Sequence, residues 1–146
     1  MAHLLKRKIH EITENDQKAN IIIMGDFNDN PEDVSLCKGL NAEPPSDHIE
    51  NMALINLMFD LAAKNEGSYC HEHNFLEWDN LDQIIVSGSL YLGNSGVNIV
   101  LNKASIFRKS WLLDREGIRP YPTYRGLRYF GGFSDHLPVY IDLRLK

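Results

Sequence analysis

The run Ile21-Ile22-Ile23-Met24 passes without a break into Gly25-Asp26-Phe27-Asn28-Asp29-Asn30-Pro31. Four apolar residues in succession, without alternation, predict a strand buried on both faces. Such a strand needs a covering layer on each side and neighbours at both edges. Gly25 lets the backbone turn after it. If strand geometry persists, Asp26 and Asn28, two residues apart, project to the same side. A carboxylate beside a primary amide suits hydrolysis: the acid takes a proton from water, and the amide holds that water or a phosphoryl oxygen. The same residues also make an ordinary turn, because Asn and Asp favour turns.

A chain of 146 residues has room for one domain with a real core, 1–146, and not for two comfortable ones. Residues 3–14 predict an amphipathic helix, with Leu4, Leu5, Ile9 and Ile12 on one side. Pro31 can begin a short helix reaching Leu40, since its missing N–H costs nothing in a first turn. Asp47 with Glu50 resembles a capping box, and the helix it opens runs to about Lys64. The pattern then turns to strands at Ser68–His73, Leu81–Ser87, Val97–Ile106 and Leu137–Leu145. Leu112–Gly132, rich in Gly, Pro, Tyr and Arg, is expected to be a long structureless loop, which in a compact domain is usually functional. These elements predict an α/β (α+β) fold built mainly on one mixed sheet with covering helices.

The net charge of −5 hides an uneven distribution. From Asp26 to Asp82, thirteen acids stand against Lys38 and Lys64. From Lys103 to Arg128, seven cations stand against Asp114 and Glu116. An acidic stretch beside a basic one suits a site that holds a cation and attracts a phosphorylated substrate, and equally suits two solvated faces that neutralise each other. With 43% hydrophobic and 24% charged residues, the composition is that of a globular protein rather than a disordered one. No aliphatic stretch approaches a membrane span. Cys37 and Cys70 make no metal spacing and no disulfide framework, and are expected as buried thiols.

A second cluster, Ser134-Asp135-His136-Leu137-Pro138, stands directly before the apolar run starting at Val139. A third acid, Asp82, opens Leu81-Asp82-Gln83-Ile84-Ile85-Val86, where a carboxylate at the mouth of an apolar strand needs a partner or solvent. A carboxylate hydrogen-bonded to a histidine fixes its tautomer and keeps it protonated. Gly-Asp-Phe-Asn at 25–28, Leu-Asp-Gln-Ile at 81–84 and Ser-Asp-His-Leu-Pro at 134–138 together resemble the endonuclease/exonuclease/phosphatase superfamily of metal-dependent phosphoesterases.

The resemblance implies a four-layer α/β/β/α sandwich, of which this chain carries the C-terminal part. It implies that Asp26 orients or deprotonates the attacking water and that Asn28 contacts the scissile phosphate. It further implies that Asp82 orients His136, that His136 binds the phosphate, and that Asp135 lies near the metal as a tentative ligand. Oxygen-rich donors favour Mg²⁺ or Mn²⁺ over zinc. The superfamily's early strand with an Asn and its principal metal-binding Glu find no counterpart ahead of Asp26, where the acids are Glu11, Glu14 and Asp16.

The N-terminal half of the fold is therefore expected to be missing, the principal metal ligand to lie outside the chain, and the chain alone to be weakly active or inactive. The partners expected are a phosphate-ester substrate, nucleic acid among the possibilities, and a segment or second chain that completes the fold. The alternative is a non-catalytic, partner-binding module. Trp78 and Trp111 are expected in the core or at a rim, and Arg119, Tyr121, Tyr124, Arg125, Arg128 and Tyr129 interleave cations with aromatics as phosphate-and-base contacts do. Substrate identity and localisation stay open.

Overall fold

The computed structural model describes residues 2–71 and 77–146. The predicted His73 end of one strand lies outside the described residues. Helix α1 (Ala2–Asn15) opens the chain and leads to β1 (Ile22–Asp26). A π-helical turn (Ser35–Leu40) follows, closed by Asn41 in the left-handed region (φ 64°), and then β2 (Ala42–Glu43) and β3 (Leu54–Asn56). Next come α2 (Phe59–Ala62), β4 (Tyr69–Cys70), β5 (Trp78–Asp79), β6 (Asp82–Ser87) and α3 (Gly88–Leu92). The C-terminal third holds β7 (Val97–Ile99), β8 (Ser105–Ile106), β9 (Tyr124–Arg125), β10 (Arg128–Tyr129), β11 (Val139–Tyr140) and β12 (Leu143–Leu145).

The centre is a mixed four-stranded sheet in the order β1-β6-β3-β2, with β6 antiparallel to both neighbours and β2 parallel to β3. Strands β3 and β6 are the covered ones, and β6 is buried at every residue after Asp82. Ile84 and Val86 point into a core completed by Ile55, Leu57, Met58, Leu61 and Leu90, whereas Ile85 points the other way, onto Ile9, Leu36, Leu40 and Leu54. This alternation puts apolar residues on both faces of one strand, so each face needs its own cover. Helix α1 and the π-helical turn cover one face; α2, α3 and the C-terminal strands cover the other.

Four sequence expectations are corrected. Strand β1 is not buried on both faces: it lies at the sheet edge, with Ile22 40% and Met24 62% exposed, because β6 alone pairs with it among the described residues. The helix expected from Asp47 to Lys64 is instead β3 and the short α2. Leu54 and Ile55 enter opposite cores, and pairing with β6 (Leu54↔Ser87, Ile55↔Val86) outweighs local helix preference. The strand expected over Val97–Ile106 is broken at Val100–Asn102, where Leu101 has a positive φ. The expected loop Leu112–Gly132 is a hydrogen-bonded arm: Leu113 bridges Pro120, and β9 and β10 form a hairpin. At its base the chain folds back so closely that a Cβ on Gly132 would sit inside the Tyr121 carbonyl. Cys70 is buried and Cys37 half-buried. No described helix is long and apolar enough to cross a membrane.

Candidate active site

The antiparallel register of β1 on β6 sets Asp26 directly opposite Asp82. Like charges facing each other across strands repel, so the arrangement needs a cation. His136 supplies it, with Nδ1 2.6 Å from Oδ2 of Asp82. The histidine is delivered by its surroundings: Leu137 is buried beside it, the Leu137 N–H donates to the Ser68 carbonyl at 2.8 Å, and the His136 backbone bridges Tyr69. Burial pushes the Asp82 carboxyl up, but hydrogen bonds from His136 and Ser68 and the His136 charge outweigh it, and its pKa lies below the ordinary value. The bond to Asp82 raises the pKa of His136 against the opposing effect of burial, with help from the charges of Asp82, Asp135 and Asp26. Both shifts favour the charged forms of the pair, imidazolium and carboxylate, over the neutral ones.

Strand geometry does not persist past Asp26. Phe27 still donates its N–H to the Leu81 carbonyl at 2.8 Å, but Asn28 enters the left-handed region (φ 53°) and its N–H donates to Oδ1 of Asp26 at 2.9 Å. The backbone of Asn28, rather than a shared strand face, ties it to Asp26. Gly25 has φ +147°, a conformation that favours glycine, and it sits opposite Gln83 in the ladder. Asp135 is exposed, and its charge acts on His136. All five predicted site residues therefore belong to one neighbourhood at the ends of β1 and β6 and the start of the last strand region.

Sequence reasoning missed the layer beneath them. Gln83, fully buried, accepts from Asn56 Nδ2 at 2.8 Å and donates to the Asp29 carbonyl at 2.8 Å and to the Asn80 carbonyl. Asn30 donates through Nδ2 to Asp79 Oδ1 at 3.0 Å and accepts the Asn80 N–H at 2.8 Å, so the far end of the Asp26 loop is anchored to β5. The other Asp79 oxygen, Oδ2, lies 2.6 Å from Nε2 of His71. Tyr69 stands between the two histidines, its ring centroid 5.2 Å from that of His136 and 5.5 Å from that of His71. A Gln inside an apolar strand was the one available signal; Tyr69 and His71 carried none. Trp78 is half-buried under Arg108, whose guanidinium lies 4.5 Å from its ring centre, while Trp111 is 57% exposed at a rim.

Among the described residues, no three His, Cys, Asp or Glu side chains converge to hold a metal ion. The donors among the described residues do not by themselves fit a divalent cation.

A mixed sheet that gathers two carboxylates and a carboxylate-held imidazole at its strand ends has the make-up of a hydrolase that works through water. The endonuclease/exonuclease/phosphatase family matches residues 1–145, and the chain belongs to it. That membership makes it a hydrolase of endonuclease, exonuclease or phosphatase type, in a family that acts on phosphoester or nucleic-acid substrates and is in general dependent on divalent metal. Neither a curated protein nor a solved structure gives a match.

Proposed function

We propose that the chain hydrolyses a phosphate ester by in-line attack of water at phosphorus. The observation that carries this is the His136–Asp82 pair at 2.6 Å with Asp26 in register across the strands. Asp26 takes a proton from the water as its oxygen bonds to phosphorus. The bond to the leaving oxygen breaks, and that oxygen takes a proton from solvent. The imidazolium of His136 donates to a non-bridging oxygen and offsets the charge that builds there, Asp82 holds the ring, and Asn28 contacts the phosphate. Little covalent chemistry is asked of the protein, so positioning and charge neutralisation dominate. Mg²⁺ or Mn²⁺ is the cation that suits oxygen donors, with Asp135 the donor we assign to it. The other donors would come from beyond the described residues, and the sheet would then be one half of a four-layer α/β/β/α sandwich.

Turnover of bis(p-nitrophenyl) phosphate tests this. We expect weak hydrolysis by the wild type, reduced about 10²–10⁴-fold in His136→Gln and in Asp26→Asn, the range typical of a lost acid or base. Hydrolysis that survives both substitutions would sink the assignment. No turnover by the wild type, with or without Mg²⁺ or Mn²⁺, would favour a second reading, in which β1 takes a strand of another segment or chain along its open edge. The exposure of Ile22 and Met24 supports that reading.

A further inference from the structure

A cleft of about 540 Å³ opens between the C-terminal turn of α2 and the paired strands β8 and β11. Its volume falls within the roughly 300–1,000 Å³ of small-molecule sites, and none of Asp26, Asn28, Asp82, Asp135 and His136 lines it. The α2 turn is fixed by its own backbone. The N–H groups of Lys64 and Glu66 both donate to the Leu61 carbonyl, at 3.0 and 2.9 Å, and Asn65 between them has a φ of 54°. Gly67 follows, so close to the Asp79 backbone that no Cβ would fit. On the opposite wall Ser105 and Tyr140 are partners in the strand pair, and the Tyr140 ring meets Phe107 edge-on with centroids 6.5 Å apart. Arg108 also lines the cleft, but its guanidinium lies 4.5 Å over the Trp78 ring centre and donates to the Ile118 carbonyl at 2.7 Å. It serves as wall rather than as ligand.

The rest of the lining sorts into three chemistries. Leu61 and Ala104 are buried and Ile106 is half-buried, which gives an apolar floor. Lys64 and Lys103 bring two exposed cations, and Asp60 and Glu66 two exposed carboxylates. Among the described residues neither lysine is paired with either acid. Two unpaired ammonium groups at one cleft favour an anion, and lysine binds phosphate as a point charge. A carboxylate only accepts, so Asp60 and Glu66 call for hydroxyl donors on that same ligand. The floor and the Tyr140 ring add room for an apolar or planar part.

We propose that this cleft is a second binding site, for a small phosphate monoester that carries hydroxyl groups, as sugar phosphates and nucleoside monophosphates do. Its phosphate lies between Lys64 and Lys103, its hydroxyls donate to Asp60 and Glu66, and its remaining part rests on Ile106 and Tyr140. The site is separate from the reacting centre and stands whether or not the hydrolytic reading holds.

Calorimetry in EDTA, which silences metal-dependent turnover, tests the site with methyl phosphate, ribose 5-phosphate and AMP. We expect ribose 5-phosphate to bind about tenfold tighter than methyl phosphate, the gain that a hydrogen bond to a charged acceptor gives. Joint substitution Lys64→Gln and Lys103→Gln should weaken ribose 5-phosphate by about tenfold or more. Joint substitution Asp60→Ala and Glu66→Ala should remove its advantage over methyl phosphate. All four side chains are exposed, and the single substitutions carry the test if either pair unsettles the fold. His136→Gln should bind as the wild type does, which separates this cleft from the reacting centre, where a phosphate ester also fits. AMP binding tighter than ribose 5-phosphate identifies a nucleotide, with its base against Tyr140; AMP binding no tighter identifies a sugar phosphate. Binding that survives the lysine substitutions, or that is lost in His136→Gln, overturns the proposal. So does equal binding of methyl phosphate and ribose 5-phosphate to the wild type, or no binding of either.

Discussion

His136 binds its proton more tightly in the folded chain than its ordinary value of 6.5 implies, and Asp82 binds its proton less tightly than the ordinary 3.8 implies. The histidine's contribution to stability is thus complete below 6.5 and is lost as pH rises through its raised folded value. The aspartate's contribution is complete above 3.8 and is lost as pH falls through its lowered folded value. Urea unfolding of the wild type across pH should show the pair's stabilisation at its fullest between those two ordinary values. Asp82→Asn should flatten the alkaline decline; a decline of equal size in the variant would mean that another group causes it. The same substitution should move the alkaline limb of turnover to lower pH, because His136 loses the bond that holds its proton. Gly25→Ala tests a different kind of constraint. A Cβ there meets nothing within 4 Å, so its cost is purely that of the φ of +147°, which we expect at about 1 kcal/mol or more in denaturant titration.

Strand β6 supports both cores and the site at once, which makes it the element where small changes should cost most. Ile85→Ala, at a fully buried position, should lose about 2–5 kcal/mol of unfolding free energy. Gln83→Leu keeps the bulk but strands Asn56 Nδ2 and the Asp29 carbonyl, and we expect a loss of about 1–3 kcal/mol or more, together with lower turnover because the Asp26 loop loses its floor. A Gln83→Leu protein as stable as the wild type would show that the polar layer is dispensable. The strand was legible in the sequence because its apolar run and its leading Asp82 are local features. Strand β3 was not legible. Met52 to Leu61 carries apolar residues dense enough for a helix face, and only the distant partner β6 decides that Leu54 and Ile55 must part to opposite sides. The β9–β10 hairpin was hidden for the opposite reason: its strands are two residues each, shorter than any periodicity can register. The five candidate residues could be singled out because they stand in three short motifs. Tyr69 and His71 were not, since what places them is a bridge to His136 and a bond to Asp79.

Across the molecule, the acidic stretch and the basic arm meet at one place. Asp26 and Asp82 lie on the sheet, and Arg119 and Arg125 of the arm line a cleft together with Asp135. The sequence showed both charge blocks without their meeting point, because that depends on how 112–133 folds back on itself. Attraction of an anionic substrate to such a site weakens with salt, so KM should rise between 50 and 300 mM NaCl (conditions spanning Debye lengths of roughly 14 to 6 Å) while kcat changes little. A KM insensitive to salt would argue that the arm plays no part in capture. The pairing of Asp26 with Asp82 also bears on how such a chain can change over generations. Each residue of β1 is counted off against one of β6, and β6 alternates between two cores, so one inserted or deleted codon in either strand would part the carboxylates and turn apolar side chains toward the wrong core. The tip at Gly126 and Leu127, where Leu127 is fully exposed, has no such ledger to keep. Length variation should therefore collect at the tip of the arm, beside the cleft of Arg119 and Arg125, where it can alter what is bound without disturbing what reacts.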